Sequence, residues 1–363
     1  METKVIRSIQ ELSQYETQWK ELMEHLEQPE IFATWEWMEA YLNHMIRPAA
    51  QLFIVVVIDQ NRWVALAPLC ILTQKLKWRS VRSLQCIISG TGENNSFYLH
   101  REYHYIKLLR QITSAFTIHQ DEWDWIDLYS FQSRNPVTSL IEQMLGEQFE
   151  VLTKQLSISP YIKIQQTNPE LKMDKNQIKD IERKERKLCR EHTVRIVCNA
   201  SYSDALWDRL AVLHQQRWPD SLFHHRSEIA FLRDILSHLE QSNRVQFSYL
   251  EINGSIASIA ISVRHAHKVY LYLTATSKEY PKYGIGLILS NHIIKHFLDH
   301  QDVNEIDFLS GSQDYKFYWS DTININYHFR IFNHHYRKKT KLLRTYTLYQ
   351  INKRRIKSLF LNR

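Results

Sequence analysis

Two short stretches of this chain carry its clearest structural signal: Val269-Tyr270-Leu271-Tyr272-Leu273-Thr274 and Lys282-Tyr283-Gly284-Ile285-Gly286. The first is aromatic and β-branched, which predicts a strand, and apolar residues recur behind the second at helical spacing. Glycine occurs only 7 times in 363 residues, where average usage would give about 25, so the closely spaced pair indicates a backbone requirement. A strand, Gly-x-Gly and a helix can turn free N–H groups toward a phosphate; a tight turn without a ligand is the alternative.

The same order of elements occurs twice along the chain, and Asp127 in the first copy matches Asp307 in the second. The paired segments are 13–26 with 203–217, 34–45 with 228–239, 52–71 with 245–263, and 125–131 with 305–311. We therefore expect an α/β (α+β layered) protein with two tandem domains, each a mixed sheet flanked by helices. The expected limits are 1–165 for the amino-terminal domain, 175–335 for the carboxyl-terminal domain, and 336–363 for a basic amphipathic tail.

The two copies differ at the glycine pair. When Asp127 is aligned with Asp307, Gly284 and Gly286 fall on His104 and Ile106. The amino-terminal copy thus lacks the loop that lets a ligand approach the backbone closely. We expect a single ligand site, in the carboxyl-terminal copy.

Composition places the chain among globular proteins of the cytoplasm. It is 44% hydrophobic and 23% charged, its first residues include no apolar signal segment, and its longest apolar stretch is too short to span a bilayer. The cysteines show no paired spacing, which indicates reduced thiols and no zinc site. They are Cys70, Cys86, Cys189 and Cys198. We expect no metal cofactor.

The positive charge is concentrated at the carboxyl-terminal end. From Thr322 onward there are eleven Lys and Arg and no Asp or Glu, so the preceding part holds 35 basic and 39 acidic residues. Apolar residues there could line one helical face: Leu342, Tyr346, Tyr349, Ile356 and Phe360. Such a tail suits an anionic membrane surface, a nucleic acid or an acidic patch on the protein itself. We expect peripheral contact with the inner face of the membrane.

A second charged segment spans residues 175–191, where basic and acidic side chains alternate along a predicted helix. Many of them are four residues apart, which is typical of a solvated helix stabilised by its own ion pairs. Contact with a nucleic acid or with a substrate phosphate is the other interpretation of this helix.

Several blocks of sequence resemble the GNAT acyltransferase superfamily, and more closely the tandem-GNAT acetyltransferases of the CelD-like group, which are found with cellulose and exopolysaccharide biosynthesis and are related to Fem peptidyltransferases. The blocks are Phe32-Ala33-Thr34-Trp35-Glu36-Trp37, the helix 175–191, His214-Gln215-Gln216-Arg217-Trp218, and the region 270–319 with Gly311-Ser312-Gln313-Asp314-Tyr315-Lys316. The resemblance covers nearly the whole chain.

The resemblance implies a donor site for acyl-coenzyme A, here acetyl-CoA, on the loop Tyr283-Gly284-Ile285-Gly286. Pro281 stands where the GNAT pattern has Arg or Gln, so one expected phosphate partner is missing. The resemblance also implies that Glu251, on the first strand of the second hairpin, is the general base.

Acyl transfer needs a base for the nucleophile and an acid for the departing thiolate, and three consecutive residues can supply such groups. They follow the sharp turn at Gly311, near the carboxyl end of a strand, where open α/β sheets tend to bind ligands. We assign Tyr315 as the acid, Lys316 as the partner of an anionic group and Asp314 as a possible base. An exposed turn followed by an aromatic anchor is the alternative. Arg217 either interacts with the end of its own helix or binds the acceptor.

Three functions follow from these observations. The first is an acyltransferase that moves an acyl group from acyl-coenzyme A to an amine or hydroxyl, on a sugar or an envelope-polysaccharide precursor. The second is a Fem-like aminoacyl transferase that uses aminoacyl-tRNA, which would be the one nucleic-acid partner. The third is a non-catalytic scaffold with the same fold.

Overall fold

The computed structural model describes residues 1–76, 79–89, 94–164, 173–299, 302–333 and 340–348. The chain divides into two compact units. The amino-terminal unit comprises Met1–Gln28, Ile46–Leu156 and the described residues from Asn326 onward, and the carboxyl-terminal unit comprises Pro29–Met45 and Ser157–Ile325. The units are therefore interleaved in sequence, unlike the consecutive limits expected from the repeat, because each contains a segment that a cut between 165 and 175 would assign to the other.

The secondary structure follows the predicted order in both copies. The strands are β1 (Glu2–Ile6), β2 (Ala50–Asp59), β3 (Arg62–Leu76), β4 (Arg79–Cys86), β5 (Tyr98–Leu99), β6 (Trp125–Gln132), β7 (Glu150–Lys163), β8 (Val194–Ala200), β9 (Val245–Ile252), β10 (Ser255–His265), β11 (Lys268–Thr276), β12 (Glu305–Asp307) and β13 (Ile323–Phe332). The helices are α1 (Ile9–Leu12), α2 (Glu16–Glu24), α3 (Trp35–His44), α4 (Tyr105–Ile118), α5 (Pro136–Gly146), α6 (Lys175–Glu191), α7 (Asp204–Arg217), α8 (Arg226–Gln241), α9 (Ile285–Leu298) and α10 (340–348).

The amino-terminal unit is built on strands in the order β1-β2-β3-β4-β6-β13. Neighbouring strands are antiparallel except β4 and β6, which are parallel and are connected through α4. One large apolar cluster fills the space between this sheet and the helices; it includes Val55, Leu109 and Phe116, none of which is exposed. The mixed sheet flanked by helices confirms the predicted fold class for this copy.

The carboxyl-terminal unit repeats that plan with strands in the order β7-β12-β11-β10-β9-β8. Its parallel pair is β11 and β12, connected through α9. The hairpin between β9 and β10 turns at Asn253 and Gly254, whose φ angles of 51° and 82° suit the tight turn that this residue pair favours. Helices α6 and α9 pack on one face of the sheet around Ile181, Leu188 and Ile288. Helices α7, α8 and α3 cover the other face.

The described part of the tail packs on the amino-terminal unit. In α10, Leu343 is buried against Trp125 and Phe332, and Arg344 forms an ion pair with Glu150 at 2.7 Å. Leu342, of the predicted apolar face, is 44% exposed, while the neighbouring Leu343 points inward, so that face stays a prediction. Tyr349, Ile356 and Phe360 lie outside the described residues. In the part of the chain that is described, no helix is both long enough and apolar enough to cross a membrane.

Candidate active site

The parallel strands β11 and β12 separate after a short paired stretch. Lys268, Val269 and Tyr270 pair with Glu305, Ile306 and Asp307, and within the described chain β11 then pairs only with β10 as far as Thr276. The chain after β12 follows β7 instead, because Phe308 and Gly311 donate their N–H groups to the carbonyls of Pro160 and Ile158. The separation opens a wedge, bounded by Leu271–Thr276 on one side and by residues 308–316 on the other.

The closed end of the wedge holds a buried cluster of charged groups. Lys268 Nζ lies 2.9 Å from Asp307, 3.0 Å from Glu30 and 3.2 Å from Glu305, and Tyr270 donates its hydroxyl hydrogen to Glu30 at 2.7 Å. Burial disfavours the charged form of Lys268, but Asp307, Glu30 and Glu305 outweigh it and raise the pKa of Lys268 well above its ordinary value. These contacts join the two strands at the point where they separate. Of this cluster, the sequence indicated only Asp307, through the repeat.

The open side of the wedge leads to the beginning of α9. Gly284 precedes the helix with φ 63° and ψ 46°, the left-handed conformation that glycine adopts without steric cost. No side chain caps this helix end, and among the described residues the N–H groups of Ile285 and Gly286 donate to no acceptor. A helix N-terminus with free N–H groups is suited to binding a phosphate. The strand, glycine pair and helix predicted from the sequence are therefore present, and phosphate binding at this loop stays a prediction.

Gly286 serves a packing role that the sequence did not reveal. A Cβ at this position would lie 2.9 Å from Oγ1 of Thr276, the last residue of β11. That hydroxyl is itself held near Ser258 Oγ, at 3.1 Å. Gly286 thus lets α9 begin directly against the end of β11, which places the free N–H groups beside the wedge.

The two other residues of the predicted donor loop have buried side chains. Ile285 and Tyr283 are each 1% exposed. Tyr283 donates its hydroxyl hydrogen to Glu191 at the end of α6, and Lys282 Nζ lies 3.1 Å from the same carboxylate. Only the backbone of Tyr283 and Ile285 could therefore contact a ligand, while their side chains fix the loop to α6 and to the core.

The turn after β12 is fixed by charged side chains at both ends. Leu309 has a φ of 56°, a conformation that costs a non-glycine residue of order 1–2 kcal/mol. Asp307 Oδ1 accepts the N–H of Leu309 at 2.8 Å, and Lys316 Nζ donates to the carbonyls of Leu309 at 3.1 Å and Ser310 at 2.7 Å. The peptide groups of this turn are thus held from both sides, and so is the position of the neighbouring Tyr315.

Lys316 is therefore not the surface residue that its sequence context suggested. It is 5% exposed and its ammonium group contacts backbone carbonyls of its own turn. Tyr315 and Asp314, by contrast, are exposed, with Tyr315 at 37%. Partial desolvation raises the pKa of Tyr315; a tyrosine phenol carries its proton near neutral pH even at its ordinary pKa of about 10. Whether Asp314, Tyr315 and Lys316 have the catalytic roles assigned to them stays a prediction.

Glu251 lies at the same end of the sheet as the start of α9 but on the other face. Its neighbours Leu250 and Ile252 belong to the core beneath α9, and successive side chains of a strand alternate between faces. Leu250 and Thr276 both pair with Ser258, so they occupy the same position along the strands. Glu251 is therefore one residue along β9 from the position opposite Thr276. This position is compatible with a base acting from the α7–α8 side of the sheet.

Arg217 ends α7 on the surface, where its guanidinium lies over the ring of Trp218, with 5.8 Å to the ring centroid. Trp218 is 51% exposed. Both interpretations of Arg217, as a partner of its own helix end and as an acceptor ligand, remain compatible with this position.

The amino-terminal unit has an equivalent separation of strands, but residues of the same unit lie between the separated strands. Strands β4 and β6 pair up to Gln85 and Asp127. Beyond them, Asn95 pairs with Phe131, and its side-chain amide donates to the carbonyls of Ile88 at 3.2 Å and Tyr129 at 3.1 Å. No open wedge is left among the described residues of this unit, which is consistent with the absence of glycine at His104 and Ile106.

Comparison with known proteins finds a family model that is similar to the part of the chain that carries this site. Residues 175–317 match the model of the "Acetyltransferase (GNAT) domain" family, and this matched segment includes the edge of β11, α9 and the turn after β12. No curated protein matches the chain in sequence. Among the described residues, no group of three or more His, Cys, Asp or Glu side chains could hold a metal ion.

Solved structures show the same fold over nearly the whole chain. FemX has a TM-score of 0.60 at 10% identity, covering 92% of this chain and 98% of that chain. A tandem GNAT protein from the clavulanic acid biosynthesis pathway has a TM-score of 0.52 at 10% identity, covering 91% and 98%. A conserved protein of unknown function from Bacteroides thetaiotaomicron VPI-5482 has 0.53 at 8% identity, covering 91% and 100%. The predicted tandem GNAT-like fold is confirmed, whereas the closer resemblance to the CelD-like group stays a prediction.

Proposed function

We propose that the carboxyl-terminal unit is an acyltransferase that takes an acyl group, such as acetyl, from acyl-coenzyme A and passes it to an amine or hydroxyl. The observation that carries this proposal is the open wedge between β11 and β12, which ends at the free N–H groups of Ile285 and Gly286. An elongated donor with a phosphate group part-way along its length fits this combination of an unpaired strand edge and a helix N-terminus.

Each part of the site supports a different part of such a donor. The free N–H groups at the start of α9 and the positive end of its helix dipole bind the pyrophosphate. The edge of β11 from Leu271 onward offers backbone groups to the amides of the pantetheine arm, in the manner of an added strand. Lys282, which follows Pro281, is exposed and pairs with Glu191 at 3.1 Å; it supplies the neighbouring cation where the GNAT pattern has Arg or Gln and this chain has Pro281.

The reacting groups lie on the far side of the wedge and on the opposite face of the sheet. Tyr315, which is exposed at the wedge, donates a proton to the departing thiolate, and Glu251 accepts the proton of the attacking amine or hydroxyl. Lys316 and Asp307 hold the turn that carries Tyr315. A sugar or an envelope-polysaccharide precursor as acceptor rests on the resemblance to the CelD-like group alone.

The proposal is tested by donor binding before any acceptor is known. Acetyl-coenzyme A at about a hundred times its dissociation constant should stabilise the folded chain by about 2.7 kcal/mol, which thermal unfolding detects. Aminoacyl-tRNA is the donor of the alternative, Fem-like function. Stabilisation by aminoacyl-tRNA and not by acetyl-coenzyme A would replace the proposed donor, and stabilisation by neither would favour a scaffold. An acceptor screen with labelled acetyl-coenzyme A then identifies the second substrate.

A further inference from the structure

Five basic side chains form a straight line along the exposed side of α6. We name them the basic row: Lys175, Lys179, Arg183, Arg186 and Arg190. They are three or four residues apart, so at 3.6 residues per turn they fall within an arc of about 80° and extend over about 22 Å. All five are exposed. The sequence alone indicated a mixed, self-paired helix, and the structure separates its charges by face.

Four members of the basic row have no carboxylate partner within ion-pair distance in the described chain; Arg183, the exception, contacts Asp180 at 2.5 Å. The other basic residues of α6 are paired: Lys184 lies 2.8 Å from Asp180, and Lys187 lies 3.9 Å from Glu191. The basic row therefore presents charge that the helix does not neutralise.

The opposite side of α6 is fixed to the core of the carboxyl-terminal unit. Ile181 and Leu188 are buried beside α9. Glu182, which adjoins the basic row, forms an ion pair with Lys295 at 2.9 Å, and Glu185 lies 2.7 Å from His292. These contacts prevent the helix from rotating, so the basic row faces outward permanently.

We propose that the basic row is a docking surface for an anionic lipid bilayer, an interaction that is independent of the proposed catalytic function. A helix lying flat on a plane touches it along a line parallel to its axis, and the basic row has that geometry. Four to eight Lys or Arg residues on a helix suffice for recognition of anionic lipids. The aliphatic residues of α6 pack against the core, with Ile181 and Leu188 buried and Ile178 partly buried, so attachment is electrostatic and weakens as salt screens it.

A nucleic-acid strand fits this surface less well. Proteins that bind single strands combine basic residues with aromatic side chains on which the bases stack. The basic row contains no aromatic residue, and the nearby Tyr283 is buried. We therefore commit to the bilayer and use RNA binding as an outcome that would contradict the proposal.

The test compares two double variants that remove the same charge from the same helix. Lys179→Gln with Arg186→Gln removes two members of the basic row, and Lys184→Gln with Lys187→Gln removes two cations outside it. Partition of the full chain onto vesicles of phosphatidylcholine, with and without phosphatidylglycerol, is measured by sedimentation at low and high salt. Thermal unfolding first establishes that both variants fold.

The wild-type chain should partition onto phosphatidylglycerol vesicles at low salt only. The row variant should bind about 25-fold more weakly, which corresponds to two cations at about 1 kcal/mol each, and the control should change less than about threefold. Equal losses in the two variants, unchanged partition of the row variant, or no partition of the wild-type chain would each overturn the proposal. Binding to a labelled RNA oligonucleotide without binding to vesicles would assign the row to nucleic acid instead.

Discussion

The packing of Gly286 against Thr276 predicts a specific coupling between the two residues. Gly286→Ala places a methyl group 2.9 Å from Thr276 Oγ1, closer than carbon and oxygen approach without strain. Overpacking of this kind costs about 1–3 kcal/mol, while alanine in place of glycine in a helix gains about 1 kcal/mol. The single variant should therefore be destabilised by roughly 0–2 kcal/mol, the difference between these two contributions.

Removal of the threonine hydroxyl should relieve that strain. Thr276→Ala alone loses the contact with Ser258 and should cost about 1 kcal/mol. In the double variant the strain is absent. The double variant should therefore be more stable than the sum of the two single effects predicts, by a coupling free energy of about 1–3 kcal/mol. Gly146→Ala in α5 is the matched control, because nothing lies within 4 Å of a Cβ at that position.

The assay is urea unfolding of the four members of the cycle and of the control. A coupling energy below about 0.5 kcal/mol, the usual error of additivity, would refute the packing argument. Acetyl-coenzyme A binding separates packing from ligand approach: if Gly286 acts through Thr276 alone, the double variant should regain the affinity that Gly286→Ala loses. A bulkier Gly286→Leu should lose donor binding in either background.

Three further predictions concern other parts of the chain. Lys316→Met removes two hydrogen bonds from a charged donor and should destabilise the chain by about 3–5 kcal/mol, whereas Tyr315→Phe should change stability by less than about 1 kcal/mol and lower turnover. Urea unfolding measures the stability of both variants, and release of thiol from acetyl-coenzyme A measures their turnover. A larger loss of stability in Tyr315→Phe than in Lys316→Met would contradict the assigned positions. Burial raises the pKa of Asp127, but His328 and Arg330 outweigh this effect, so the net pKa lies below its usual value. The ionised carboxylate therefore stabilises the fold above about pH 4, and that stability is lost as the pH falls further. Asp127→Asn should flatten the fall of the free energy of unfolding in acid, and an unchanged slope would show that the contacts of Asp127 with His328 and Arg330 are not linked to folding. Truncation after Leu348 removes five basic residues and should weaken flotation with anionic vesicles at low salt, while equal flotation of the truncated and full chains would exclude a role for the tail in membrane attachment.

Local patterns predicted the parts of the site that depend on neighbouring residues. The aromatic, β-branched run became β11, the apolar spacing became α9, and the scarcity of glycine identified the position where the backbone is left-handed, at Gly284. The repeat identified Asp307 before its contacts were known. Each of these signals depends on φ and ψ preferences or on periodicity, which a single segment carries by itself.

Features that depend on contacts between distant segments were not visible in the sequence. The wedge exists because β11 continues beside β10 while the chain after Asp307 follows β7, and no property of β11 alone reveals that separation. Lys316 looked like a surface residue because its burial depends on the left-handed turn at Leu309. The interleaving of the two units was not predicted for the same reason. Helix α3 precedes α8 by almost 200 residues, and composition gives no sign that these two helices pack together.

We predict that the chain has one donor site and that this site lies at the start of α9. Isothermal titration with acetyl-coenzyme A tests it with a matched pair of variants, because aspartate and asparagine both tolerate the left-handed conformation of Gly284 and differ in charge alone. We predict one site per chain, binding at least tenfold weaker in Gly284→Asp than in Gly284→Asn, and no change in His104→Asp at the equivalent position of the amino-terminal unit. Two sites per chain, no binding, or equal affinity in the aspartate and asparagine variants would contradict the claim.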